Sequence, residues 1–384
     1  MSLRFAISGI PSPGLLRVAA AGTLALLFAL LGLGAVVTSF HVGMADPIWP
    51  TRPWHLLTTS WEEPSAGFLI EHTHRLAGFV TGGAVAILAV LVWLTERRPV
   101  LRWGGVAALV ALLGAFRQLH GSLLKHQTVL KQSGELTSPD WTTVLGPTAA
   151  ALSLVAVLTV ISATTASAES LRLTAVLLLI AVMAQGILGG LRVYFNALYG
   201  SDLAAVHGVF SQIVLALAVT VVVLTGPRRV ARPPSDLVRW AIIAAAVVFA
   251  QIVAGAILRH TASPLGPRLH LLGAFVVVLA TAAVSRRSRG TAVRGLAVLA
   301  AALAGVQVLL GVEAWMVRFQ AGLDLLAIQR VTEADALVRT LHALVGYGLF
   351  ATVFGIAAVL MRDREPTMRA TAVRRPAIPA EALV

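Results

Sequence analysis

The chain has no cysteine among its 384 residues, and only 12% of its residues are charged and 6% aromatic. The first absence removes disulfides, thiolate metal sites, iron–sulfur clusters and thioether-linked haem together. Any bound metal must therefore be held by histidine, carboxylate or another oxygen. Acidic residues are scarce, 17 Asp and Glu against 30 Lys and Arg, which leaves a net charge of +13. The basic residues are dispersed between apolar segments and form no stripe on a soluble domain, so nucleic acid is not an expected partner. No phosphate-binding loop occurs either. What is abundant is apolar, 58% of the chain, in runs that repeatedly reach the roughly 20 residues needed to cross a bilayer. Glycine is frequent at 33 residues, as expected where membrane helices approach closely.

These runs predict an all-α polytopic membrane protein with about ten spans, at 15–40, 66–95, 103–120, 144–165, 172–193, 203–225, 237–258, 268–285, 294–317 and 336–361. With a cytoplasmic N-terminus, 19 of the 30 Lys and Arg fall on the cytoplasmic side, among them Arg97, Arg98, Arg228, Arg229, Arg286 and Arg287. The positive-inside rule then puts both termini in the cytoplasm, with a basic tail at 362–384. The first run lacks a short apolar core followed by a small-residue cleavage site, so 15–40 reads as a retained span.

Histidine is costly in hydrocarbon and is kept there for a task. His74, His207, His270 and His342 each lie within the first residues of a span that enters from the outer side. At 1.5 Å rise per residue they form one layer roughly 3 to 14 Å below the outer boundary. A weak repeat accompanies them. Gln185 and Gly189 end the span before His207, Gln251 and Gly255 the span before His270, and Gln307 and Gly311 the span before His342. The span before His74 has Leu30 and Gly34 in those places. Taken alone, Gln-x-x-x-Gly reads as a small-residue packing face. Four hairpins with one histidine each suggest a duplicated four-helix unit. Facing histidines in a helix bundle commonly hold haem iron from both sides. Pairing neighbouring hairpins gives His74 with His207 and His270 with His342, in two pseudo-symmetric four-helix bundles in tandem. Their expected extents are 1–226 and 232–361, with an extra hairpin inserted at 103–165. The bland reading of each histidine is a hydrogen-bonded interface residue.

Glu71-x-x-His74-Arg75, the run from Ala184 to Gly190 leading into Ala205-Val206-His207-Gly208, and Met44-Ala45-Asp46-Pro47-Ile48-Trp49-Pro50 together resemble the haem A synthase family. The resemblance covers most of 15–361, with its specific motifs in the N-terminal half. It implies a haem O substrate between His74 and His207 and a resident haem b between His270 and His342. The implied reaction oxidises the C8 methyl of haem O to a formyl by successive hydroxylations, for cytochrome oxidase biogenesis in a bacterial-type plasma membrane. Glu71 shares a helix face with His74, and the family makes it the catalytic residue. Its bland reading is a boundary carboxylate paired with Arg75 or solvent. His72, about 200° round the helix from His74, should face away. Arg75 is expected to reach a haem propionate or a lipid phosphate.

Glu313 reads as a boundary residue, and His41, His55, His120, His126 and His260 as solvated loop or span-end residues. Trp49, Trp54 and Trp61 suit an interfacial belt or a cover over the first pocket. The implied partners are a haem O synthase, an electron-transfer partner and membrane lipid, with a homo-oligomer left open. The chain departs from the family in lacking the loop cysteine pair of many bacterial relatives, in the inserted hairpin, and in having no Arg after His270. Two rivals stand beside this reading: a bis-histidine haem b electron-transfer protein in which no methyl is oxidised, and a haem-free transporter or assembly factor with a histidine proton path.

Overall fold

The computed structural model describes residues 11–45, 65–133, 149–156, 158, 169–194, 196–228, 230, 232–261, 265–323 and 332–364. Among them are nine helices long and apolar enough to cross a membrane: α1 Pro13–Ser39, α2 Ala66–Trp93, α3 Pro99–Ser133, α4 Glu169–Tyr194, α5 Asn196–Thr225, α6 Ser235–His260, α7 Gly266–Arg287, α8 Arg294–Leu323 and α9 Glu333–Arg364. These match nine of the ten expected spans. Of the tenth, residues 149–156 are helical, and the rest of 144–165 lies outside the described residues. So do Trp49, Trp54 and Trp61 and the tail beyond Arg364.

Local sequence sets the helix ends. The Ser12 hydroxyl accepts from Leu15 N–H ahead of Pro13, and the Ser65 hydroxyl accepts from Phe68 N–H, each satisfying an orphan donor of the first turn. α9 opens on a reciprocal box, in which Thr332 N–H donates to Asp335 Oδ2 and Asp335 N–H to Thr332 Oγ1. α1 ends where His41 turns to φ 56°, a left-handed stop that histidine tolerates better than most residues.

The helices pack as two closed rings of four. In the first, the hairpins α1–α2 and α4–α5 are joined by α2–α4 and α1–α5 packing. The second repeats this with α6–α7 and α8–α9, joined by α7–α8 and α6–α9. The first and last helices of each ring make the interface between rings, through α1–α9, α5–α9 and α5–α6. Small residues allow that approach: Gly32 lies under Leu344, Gly348 under Phe28 and Gly355 under Val219. α3 stands outside the first ring and packs on α2, with Gly105 so close to the Trp93 ring that a Cβ would collide with it.

Polar clamps hold both ends of the interface. Towards the histidine face, Arg259 donates to the Ser39 hydroxyl at 2.7 Å, and Thr340 Oγ1 also bonds Ser39 Oγ at 3.0 Å. These bonds join α6, α1 and α9. At the opposite face, Arg17 donates to the Thr225 carbonyl at 2.7 Å. Arg362 donates to the carbonyls of Val223, Gly226 and Pro227, and Asp363 accepts from Val230 N–H. On that face the Glu96 carboxylate, between α2 and α3, pairs with Arg98 and with Arg172 at the start of α4. The Arg98 bond above all, opposed by burial and helped by Arg172, holds the Glu96 carboxyl down at about 2.

Candidate haem-sized cavity and its histidine cradles

The four histidines sit in four copies of one local arrangement. A helix presents a glycine near its end, and the returning helix lays an imidazole flat against it. A Cβ on Gly34 would stand 3.1 Å from His74 Cε1, one on Gly189 3.1 Å from His207 Cε1, one on Gly255 3.0 Å from His270 Cε1 and one on Gly311 3.1 Å from His342 Cε1. Contacts this short are tighter than nine in ten real Cβ contacts, so even an alanine would press the ring away by a few tenths of an ångström and glycine leaves it room. These are the glycines of the sequence repeat, and they serve as floors under rings as well as packing surfaces.

The glutamine of the repeat steadies the ring from the side. The side-chain amide of Gln185 contacts the His207 ring at 3.3 Å and donates to the His207 carbonyl at 3.0 Å. Gln251 contacts the His270 ring at 3.2 Å and donates to its carbonyl at 2.7 Å. Gln307 lies 3.2 Å from the His342 ring. The His270 ring also bonds the backbone of Gln251. In the first hairpin the His74 ring bonds the backbone of Leu30, which is why a leucine can stand where the others have glutamine. Fixing one ring nitrogen orients the other for a ligand. Nδ1 of His74, of His207 and of His342, the ring nitrogen nearer the glycine, is buried without a hydrogen-bond partner.

The cradles face each other in pairs. The His270 and His342 ring centroids are 6.1 Å apart, with planes at 72°. Metal–imidazole bonds of about 2.0–2.1 Å would separate two rings on opposite sides of one ion by about 6 Å. His74 and His207 lie within electrostatic reach of each other. Among the described residues no group of three or more His, Asp or Glu converges as a bare-ion site. A facing pair of imidazoles instead fits a macrocycle that brings its own equatorial donors.

All four rings line one cavity of about 1770 Å³, larger than the roughly 300–1,000 Å³ of a single small-molecule site. Its wall is mainly apolar, with Arg75, Arg192, Arg259 and Arg339 as cations and Glu71 as the one carboxylate among the described lining residues. Glu71 is buried and pairs with Arg75 at 2.7 Å. Arg75 thus turns back along its own helix towards i−4 instead of snorkelling outward. Arg192 lies within electrostatic reach of both residues, and its Nε is buried without a partner. His72 is fully buried, stacks on Phe68 at 4.9 Å and is absent from the cavity wall, as expected of a residue on the other face. Glu313 is exposed on α8, at the boundary.

Three histidines expected in solvent line the cavity instead: His41, His120 and His260. Burial, then the neighbouring charges of Arg339 and Arg259, lower the His41 pKa below the ordinary imidazole value. Arg192, Arg259 and Arg339 also line the cavity, although no motif singles them out. Their positions carry a signal, since Arg192 follows Gly189 by three residues, Arg259 follows Gly255 by four and Arg339 precedes His342 by three. Each spacing keeps the guanidinium on the cradle side of its helix. Comparison of the chain with protein-family models, with curated proteins and with solved structures gives no match.

Proposed function

We propose that the chain is a haem-binding membrane oxidoreductase of the haem A synthase type, acting on the C8 methyl of haem O. The observation that carries the proposal is that four matched imidazole cradles surround one cavity and only one of them has a carboxylate beside it. His74 and His207 would take the substrate haem. His270 and His342 would hold a haem b, which when bound supplies one-electron redox chemistry.

The protein's own groups have defined tasks in this scheme. The glycine floors and glutamine amides orient the imidazoles. Arg75, Arg192, Arg259 and Arg339 offer cations to propionate carboxylates, and the buried Nε–H of Arg192 is a donor waiting for an acceptor. Converting a methyl to a formyl requires several protons to leave the reacting edge. Glu71 is the carboxylate placed to accept them, held in position by its 2.7 Å pair with Arg75.

The charge asymmetry supports both termini and the 362–384 tail in the cytoplasm, in a bacterial-type plasma membrane. The implied partners are a haem O synthase, membrane lipid and an electron-transfer partner, with a homo-oligomer left open. The likeness of the four cradles favours one second reading, a haem b electron-transfer protein with resident haem in both sites. Haem extraction and chromatography, from protein expressed with and without a haem O supply, separates the two. Haem O, haem A or a hydroxylated intermediate in one site supports the synthase, and haem b alone in both sites overturns it.

A further inference from the structure

The two rings differ at equivalent seams. In the second ring, the seam between α7 and α8 opens on the membrane. Leu271, Phe275 and Leu279 of α7 and Val312, Trp315 and Met316 of α8 line the cavity and are also 42–69% exposed. In the first ring the equivalent seam lies between α2 and α4, and α3 stands over it. Leu113, Phe116 and His120 of α3, at i, i+3 and i+7 and so on one face, line the cavity together with Leu119.

α3 packs on α2 but makes no comparable packing with α4. Its lower part is seated by Gly105 on Trp93 and by the buried Leu109 and Leu112, and its upper part walls a space. Across that space, Val182, Met183 and Gly186 of α4 and Phe79 and Gly83 of α2 also line the cavity. A Cβ on Gly83 or on Gly186 would meet nothing within 4 Å. The annexe is apolar on every side except at His120. It adjoins the ring that holds Glu71, and among the described residues the other ring has no counterpart to it.

We propose that α3 builds a tail pocket, in which the isoprenoid chain of a prenylated tetrapyrrole lies between α3, α2 and α4 while its ring sits between His74 and His207. This rests on the function proposed above and adds to it the means by which the first site tells a prenylated haem from protohaem. A tail-less haem gains nothing from the annexe, and the bare seam of the second ring gives a tail no walled channel. The insertion thus acts as a specificity element for the first site alone.

The test uses the full-length protein expressed with a haem O supply, followed by haem extraction and chromatography and by titration with haem O and with protohaem. Leu113→Trp fills the annexe from α3, and Gly83→Leu fills it from α2. Both variants are expected to lose haem O affinity by about tenfold or more, with protohaem binding unchanged. Intact absorbance of the His270–His342 haem reports that each variant has folded. Wild-type retention of haem O in both variants overturns the tail pocket and leaves the synthase reading standing. Haem b alone in the wild-type protein, despite the haem O supply, overturns both. Co-purified phospholipid displaced by Leu113→Trp, with haem O unaffected, also overturns the tail pocket and assigns the wall to an acyl chain.

Discussion

The two rings of this protein are one scaffold decorated twice. Each has two glycine floors, two imidazoles and the same order of packing. They differ in what stands around the ligand. Three residues before His74 is Glu71, and three before His270 is Pro267, which has no proton to exchange. Three residues before His342 is Arg339, and three before His207 is Ala204. Each ring brings two arginines to the cavity wall, Arg75 and Arg192 in the first and Arg259 and Arg339 in the second, but among the described residues the first alone adds a buried carboxylate and a walled seam. On the function proposed above, holding would be symmetric, whereas chemistry and selection would belong to one side.

The largest effect should come from breaking the shared part on one side only. Gly255→Leu puts a branched side chain where the His270 ring lies, and overpacking of that kind cannot be relieved without moving the ring. The expected result is loss of about half of the bound haem absorbance, with the His74–His207 site spectrally intact. Gly189→Leu should remove the other half. If either variant empties both sites, the cradles are not independent.

The next largest effect concerns the unshared carboxylate. Glu71→Gln keeps the shape and removes the proton acceptor, so haem content should hold while conversion of haem O falls by about 10²- to 10⁴-fold. Placing a carboxylate in the second ring by Pro267→Glu should not create activity there. Full turnover by Glu71→Gln would dissolve the functional difference between the rings.

The smallest effect lies at the opposite face, where the Glu96 carboxylate clamps the first ring through Arg98 and Arg172. The folded-state pKa of Glu96 is below its ordinary value. Its contribution to stability is therefore fully present above pH about 4.5 and is lost as pH falls towards about 2. Thermal unfolding followed across that window should show a decline that Glu96→Gln flattens. An unchanged slope in the variant would remove Glu96 from the account of acid sensitivity.

Much of this architecture is legible in the sequence, because hydrophobic runs and helical spacing act locally. Nine helices fall where the apolar runs place them, and the glycine and glutamine of each hairpin are readable as a repeat before their use is known. The Glu71–Arg75 pair has i,i+4 spacing, a signal that outweighs the expectation of a snorkelling arginine. What the sequence withholds is helix phase at span ends. His120 and Arg339 look like interfacial residues until the rotation of α3 and α9 turns them inward, and that rotation is set by packing between distant segments. The use of the inserted hairpin is hidden for the same reason, since no local pattern states which seam a helix will cover.

Each cradle is completed within one hairpin, by a glycine and a histidine on consecutive helices of its ring. A hairpin can therefore enter the membrane as a finished half-site, with nothing missing but its opposite number. A ligand gripped from both sides then becomes the fastener between two such halves. Assembly of each ring should accordingly end with ligand capture, so that supply of the ligand governs how much mature protein accumulates.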